Sequence, residues 1–208
     1  MNINPHDYAE GFIAEDSIKA AARARGIEIG TSDVSPGTGA YLRHLAQLLS
    51  AQSVVEIGTG SGVGSLWLLE GMITSGTLTS IDDEMEHSSI AKLALAEADI
   101  AAPRFRLITN SVMDVMTKLA DRAYDLVVFR HNPEDLNFAI SEAHRVLRSG
   151  GVFVIDNFFG GAKVPDPAQR DPKTIALREA GKAIKADSES WMSVLITTGD
   201  GLLLATKL

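Results

Sequence analysis

The stretch Ser53 to Ser65, SVVEIGTGSGVGS, restricts what this chain can fold into more than any other. Val54, Val55 and Ile57 form a short, β-branched apolar run, the pattern of a strand buried on both faces. The run carries Glu56 and leads into Gly58, Gly60, Gly62 and Gly64, ahead of the helical-looking LWLLEGMI. A strand, a glycine-rich turn and a helix in that order build a nucleotide-binding crevice at the carboxyl end of a parallel sheet. Glycine suits such a turn because a side chain would hold a ligand off the backbone, and because it accepts positive φ. The dinucleotide fingerprint G-x-G-x-x-G fails in both registers: its sixth position is Val63 counted from Gly58 and Ser65 counted from Gly60. From this string alone, a bland strand-to-helix turn stays open as the alternative.

The remaining chain alternates in the same way. Strands are expected at Thr77 to Ile81, in RFRLIT, at Tyr124 to Phe129, and in GVFVID. Helices are expected in EDSIKAAARARG, closed by Gly26, and in MEHSSIAKLALAEA. Another runs from Glu134 to Leu147, ended by Ser149, Gly150 and Gly151. Ser35 can cap a helix with Pro36 in its first turn, and Leu42, Leu45, Ala46 and Leu49 then recur at helical spacing. The glycine- and proline-rich stretch from Phe158 to Pro172 reads as a loop, and TIALREAGKAIKA as a helix. SWMSVLITTGDGLLLATKL reads as two strands about a turn at Thr198 to Gly201. The fold class is therefore α/β: a Rossmann-like, doubly wound, mostly parallel seven-stranded sheet with an antiparallel C-terminal pair. A single domain spanning 1–208 is expected, with 1–50 as a helical segment covering the site.

Composition removes several classes of function. Hydrophobic residues at 45% and charged residues at 22% are ordinary for a folded chain and argue against extensive disorder. A formal charge of -8 disfavours a broad nucleic-acid-binding face. Cysteine is absent, so no disulfide framework, thiol nucleophile or thiolate metal site is available. No basic-then-apolar leader opens the chain, and no apolar run approaches the ~18 residues of a membrane span. A cytoplasmic protein with no membrane partner is the expectation.

Ligands of open α/β sheets lie outside the carboxyl ends of the strands. Those ends carry Gly58 to Gly62, Asp82, Asn110 to Asp114, Arg130 to Pro133, and Asp156 with Asn157. Asp82 follows Gly58 by 24 residues, close to where an acidic residue accepts from a ribose diol; the alternative is a solvated turn with Asp83 and Glu84. Asp156 and Asn157 are oxygen donors suited to a hard cation, and equally ordinary residues for leaving a strand. His131 has the titration range of a general base, or is an exposed loop histidine.

The ordered blocks VSPGTGAYL, EIGTGSG, SIDDE, YDLVVF, RVLRSGG, VIDNFFGG and GDGLLLATK span Val34 to Leu208. Together they resemble the class I S-adenosylmethionine-dependent O-methyltransferases of the catechol and caffeoyl-coenzyme A type. The resemblance implies S-adenosylmethionine over strands one to three, a small aromatic acceptor and a homodimer. Its cofactor set maps to Val34, Glu56, Gly58, Thr59, Gly60, Gly62, Gly64, Ser65, Asp82, Asp83, Ser111, Val112, Met113 and Arg130. Gly58 and Gly60 approach the methionine part, Asp82 holds the ribose, and Ser111 to Asp114 flank the adenine. The family commonly has a serine two residues after the last motif glycine, where this chain has Gly64, with Ser65 one later.

A larger departure follows strand four. Metal-dependent members carry an aspartate there, followed shortly by a lysine that deprotonates the acceptor; here those positions are Arg130 and Pro133. The other two ligand positions, Asp156 and Asn157, are retained. An arginine cannot coordinate a cation, so the divalent metal site is expected to be lost. Arg130 then pairs with Asp156 or supplies positive charge to the acceptor oxygen. His131 is the first candidate base and Asp156 the second. Phe158, Phe159, Tyr8 and Phe12 are expected to cover the acceptor, or equally to pack a dimer interface. The alternatives are a non-catalytic cofactor-binding homologue and, against the failed fingerprint, a nucleotide-dependent oxidoreductase.

Overall fold

The computed structural model describes residues 4–208, so the first three residues of the expected covering segment lie outside it. The strands are β1 (Ser53–Ile57), β2 (Thr77–Asp82), β3 (Phe105–Thr109), β4 (Tyr124–Phe129), β5 (Leu147–Ile155), β6 (Trp191–Ile196) and β7 (Leu202–Lys207). They form one sheet in the order β3-β2-β1-β4-β5-β7-β6. The first five are parallel; β7 runs antiparallel to β5, and β6 antiparallel to β7. The expected mostly parallel sheet with an antiparallel C-terminal pair is the sheet observed.

Besides two short 3-10 turns, at Ala102–Arg104 and Pro133–Asp135, the described residues form eight α-helices: α1 (Pro5–Glu10), α2 (Ser17–Glu28), α3 (Pro36–Leu48), α4 (Val63–Gly71), α5 (Met85–Glu97), α6 (Val112–Met116), α7 (Leu136–Val146) and α8 (Pro172–Ala186). Period-two alternation divides each central strand between two cores. Val54, Leu126 and Val128 face one cluster with Leu42, Trp67 and Leu95 from α3, α4 and α5. Val55, Ile57, Val127 and Phe129 face the other, with Ala139, Ala143 and Leu177 from α7 and α8. Full burial of one such valine, leucine or phenylalanine side chain contributes roughly 1.5–3 kcal/mol, which is why the β-branched runs settle in the sheet centre. Strand order reverses at β1, with β2 on one side and β4 on the other, opening a crevice above their carboxyl ends. No helix of the described residues is long and apolar enough to cross a membrane.

Several boundaries differ from expectation for identifiable reasons. Gly26 does not close a helix, since α2 continues to Glu28. A β-carbon at Gly26 would lie 2.6 Å from the Asp33 carboxylate and 2.9 Å from Ser61, so this glycine permits close helix–loop approach. Arg148 to Gly151 belongs to β5, not to a helix stop. The pairing shifts from Tyr124 opposite Leu147 to Leu126 opposite Val152, the extra residues bulging out with Gly150 at φ 75. Arg148 Nε donates to Asp125 Oδ1 at 2.6 Å and pins that bulge. Phe158 does not cover an acceptor: it is buried in the core, its ring against Gly181 of α8. Tyr8 and Phe12 stand exposed. Helix α1 was not expected, and Glu10 at its end accepts from Gly37 N (3.0 Å), Thr198 Oγ1 (2.8 Å) and Gly199 N (2.7 Å). Those bonds fasten the N-terminal segment to the start of α3 and to the β6–β7 turn.

Candidate active site

A cleft of about 490 Å³ opens above the carboxyl ends of β1, β2, β4 and β5, walled by residues Gly30 to Ser32 and by the first turns of α8. Its floor is the glycine turn. Gly58 has φ 94, and a β-carbon there would run into the Arg130 carbonyl. The close approach follows from the ladder: Gly58 N donates to Ile81 O and Arg130 N to Ile57 O, both at 2.8 Å. Only glycine satisfies both demands.

Asp82 ties the turn to the end of β2. Its Oδ2 accepts from Gly60 N at 3.2 Å, and its Oδ1 accepts from Glu84 N and meets His87 Nδ1, both at 3.0 Å. Asp82 is buried yet lines the cleft, so a further donor arriving from the cleft would meet a fixed carboxylate. Asp83 lies at the rim.

Beneath the floor is a closed polar network. Glu56 Oε2 accepts from Ser65 Oγ at 2.5 Å and Ser80 Oγ at 2.7 Å, and Thr59 Oγ1 meets Ser80 Oγ at 2.7 Å. Ser65 is thereby turned inward, and a β-carbon at Gly64 would strike Glu56. Glu56, Thr59, Gly62, Gly64, Ser65 and Val34 are buried and support the turn from behind; none lines the cleft. Ser111, Val112 and Met113 begin α6, where Asn110 N donates to Asp82 O at 3.0 Å; they also lie outside the cleft wall.

Burial raises the Glu56 carboxyl from 4.5 to about 7, against the opposing Arg130 charge and the two serine hydroxyls. A raised carboxyl pKa means that the folded state holds a proton the unfolded chain has released between those values. Stability is therefore lost as pH rises through that window, by roughly 3 kcal/mol for this group. Glu56→Gln keeps the shape and cannot titrate. Thermal melts from pH 4.5 to 7.5 are expected to show the wild type losing stability relative to the variant, with the difference levelling off above pH 7. Parallel curves would show that Glu56 does not titrate there.

On the β4 and β5 side, Arg130 lays its guanidinium over the turn. Nη2 donates to Gly58 O at 2.9 Å, Nη1 donates to Ser32 O, and Nε lies 3.9 Å from Asp156 Oδ2. Asp156 Oδ1 accepts from Asn157 N at 2.8 Å, whereas its buried Oδ2 has no hydrogen-bond partner among the described residues. Burial pushes the Asp156 carboxyl above the usual carboxylate range, and Arg130 opposes that rise. His131 Nε2 lies 3.7 Å from Asp135 Oδ2 and 3.8 Å from Asp83 Oδ2, in the same wall. These residues do not fit a divalent cation. The Arg130 guanidinium, which has no lone pair to offer a cation, stands 3.9 Å from Asp156 Oδ2 and sets its own positive charge beside the two oxygen donors.

Several cleft residues are not marked as such in the sequence, Ser32, His87 and Lys173 among them. Ser32 is reached only because Gly26 lets α2 pack against the loop, and His87 only because α5 begins directly after the acidic turn. Lys173 did leave a signal: a lysine in the first turn of α8 opposes the helix dipole, an arrangement that asks for another purpose.

A doubly wound sheet, a crevice at its reversal point and a glycine turn bonded to a buried aspartate define a class of protein that holds an adenosine-type cofactor above β1 and β2. The O-methyltransferase family model matches residues 7–208, so the chain belongs to the O-methyltransferase family. A Mycobacteroides abscessus protein named "Putative O-methyltransferase" is 46% identical over 200 residues, covering 96% of this chain and 93% of that one. A Corynebacterium glutamicum crystal structure superposes with a TM-score of 0.88 at 30% identity, covering 96% of this chain and 94% of that chain. The O-methyltransferase TomG of Streptomyces achromogenes, solved in complex with S-adenosylmethionine, gives 0.85 at 26% identity over 96% and 93%.

Proposed function

We propose that this O-methyltransferase moves a methyl group from S-adenosylmethionine to a hydroxyl oxygen of a small aromatic acceptor, without a divalent metal. When bound, the cofactor supplies a methyl group activated by its sulfonium centre. The protein aligns the partners and manages the acceptor proton. Asp82 holds the ribose hydroxyls, the turn from Gly58 to Gly62 admits the amino-acid part, and Ser111 to Met113 flank the adenine. The solved S-adenosylmethionine complex of TomG supports that cofactor.

The observation that carries the reading is the orphaned Asp156 Oδ2, a buried acceptor beside the glycine turn in the same cleft. A hydroxyl donated to it is held for attack, and the raised proton affinity of this carboxyl suits it to take the proton. That supports Asp156 as the base ahead of His131, whose ring lies between two carboxylates beyond hydrogen-bond range. Phe129, Pro133, Ile155 and Leu177 supply an apolar wall that suits a flat acceptor. Met192, Val194 and Leu195 stand exposed on the edge strand β6, which supports a homodimer through that edge.

Transfer of labelled methyl from S-adenosylmethionine to a panel of small phenols and catechols tests this. Turnover is expected to change less than about twofold between excess chelator and added magnesium, because no step runs through a metal. A requirement for magnesium would overturn the metal-free part. Cofactor binding with no transfer to any acceptor would favour a non-catalytic binding protein.

A further inference from the structure

We propose that Arg130 is the anchor for the α-carboxylate of the bound cofactor, an inference that rests on the cofactor assignment above. The Arg130 side chain is only 7% exposed, and both of its hydrogen-bonded acceptors, the carbonyls of Gly58 and Ser32, are neutral. Its one ion pair, with Asp156, stands at 3.9 Å from Nε and makes no hydrogen bond, and neither Asp33 nor Glu56 pairs with it directly. A buried guanidinium with neutral acceptors and one loose ion pair lacks an anion in direct contact.

The position of the charge says which anion. A β-carbon built on Gly60 lies 3.2 Å from Arg130 Nη2 and 3.5 Å from Nη1, so the guanidinium borders the space that this glycine leaves open. Asp33 Oδ1 lies 2.8 Å from the same point. A cation and an anion therefore both border one bare glycine, matching the carboxylate and ammonium of an α-amino acid. The hydroxyls of the turn do not compete for the carboxylate. Ser65 Oγ donates to Glu56 at 2.5 Å, and Ser61 Oγ donates to Asp33 Oδ2 at 2.6 Å. Arg130 is the positively charged group at the turn, and exchanging its carbonyl acceptors for a carboxylate converts neutral bonds into charge-assisted ones.

The test compares two ligands by calorimetry in chelator. S-adenosylhomocysteine carries the amino-acid group; 5′-methylthioadenosine keeps the adenosine and thioether and lacks that group. Arg130→Met is expected to weaken S-adenosylhomocysteine about 30-fold or more while changing 5′-methylthioadenosine less than about threefold. Arg130→Lys, which keeps the charge without the planar fork, is expected to lie between. Equal weakening of both ligands, or none for S-adenosylhomocysteine, would overturn the proposal. Retained 5′-methylthioadenosine binding reports an intact pocket. If Arg130→Met does not fold, the same selective loss in Arg130→Lys supports the anchor and an unselective one overturns it. Wild-type protein that bound neither ligand would overturn the cofactor assignment itself, a result separable from failure of the Arg130 role.

Discussion

Replacing Asp82 by alanine is expected to weaken S-adenosylhomocysteine binding at least about a hundredfold, the largest effect on affinity of any single substitution here. Asp82 has two tasks in the unliganded protein that add to its proposed ribose contact. It accepts from Gly60 N, which holds the glycine turn down, and from Glu84 N, which holds the loop beyond β2. Removing the carboxylate leaves two amide donors without their acceptor and takes away the bonds offered to the two ribose hydroxyls. Each unpaired donor costs about 1–3 kcal/mol, and part of that falls on the bound state. Asp82→Asn retains one acceptor oxygen and is expected to lose less than the alanine variant. Calorimetry with S-adenosylhomocysteine measures both. Wild-type affinity in Asp82→Ala would remove the ribose contact from the assignment.

Asp156→Asn is expected to lower kcat by about a hundredfold to a thousandfold while leaving S-adenosylhomocysteine affinity within about threefold, because general-base contributions are of that order. The amide keeps the volume and can still accept a hydrogen bond through its oxygen, but it cannot take a proton. Its activity should also lose the wild-type rise with pH. Burial holds the Asp156 carboxyl above 3.8, so the wild-type rate is expected to climb as that group ionises, at a pH above the ordinary carboxylate range. His131→Ala, by contrast, is expected to cost less than about tenfold, since its ring acts from the rim. A rate little affected by Asp156→Asn together with a collapse in His131→Ala would exchange the two roles.

Much of this was legible in the sequence where local rules and tertiary demands agree. Val54, Val55 and Ile57 announced a buried central strand because burial on both faces calls for apolar residues at nearly every position, Glu56 being the exception. Ser35 and Pro36 marked the start of α3 through their own backbone chemistry, and Ser35 Oγ does accept from Thr38 N at 3.1 Å. Legibility ended where a residue's purpose is set by a distant neighbour. Gly26 looked like a helix stop, but what requires glycine there is the proximity of Asp33 and Ser61. Gly150 and Gly151 looked like another stop, although Asp125 on the neighbouring strand holds their segment as a bulge. Phe158 read as a loop aromatic free to meet an acceptor, and a small residue on α8 gave it a place in the core.

For the candidate site the division runs the same way. The sequence by itself determined the strand ends and the glycine turn, because short-range backbone constraints, φ at Gly58 and alternation along β1, are written into adjacent residues. It also placed an arginine, Arg130, at the position where the resemblance implies a cation ligand. Only the tertiary structure decided what that arginine does. Its guanidinium could have closed on Asp156 as a bidentate pair, turned to solvent, or settled over the glycine turn, and no spacing distinguishes these outcomes. The choice rests on two carbonyls, Gly58 O and Ser32 O, far apart in the chain and brought within reach of one side chain by α2 packing through Gly26. Hydrogen-bond energy falls off over a few tenths of an ångström, so such choices belong to the folded structure and not to the order of residues.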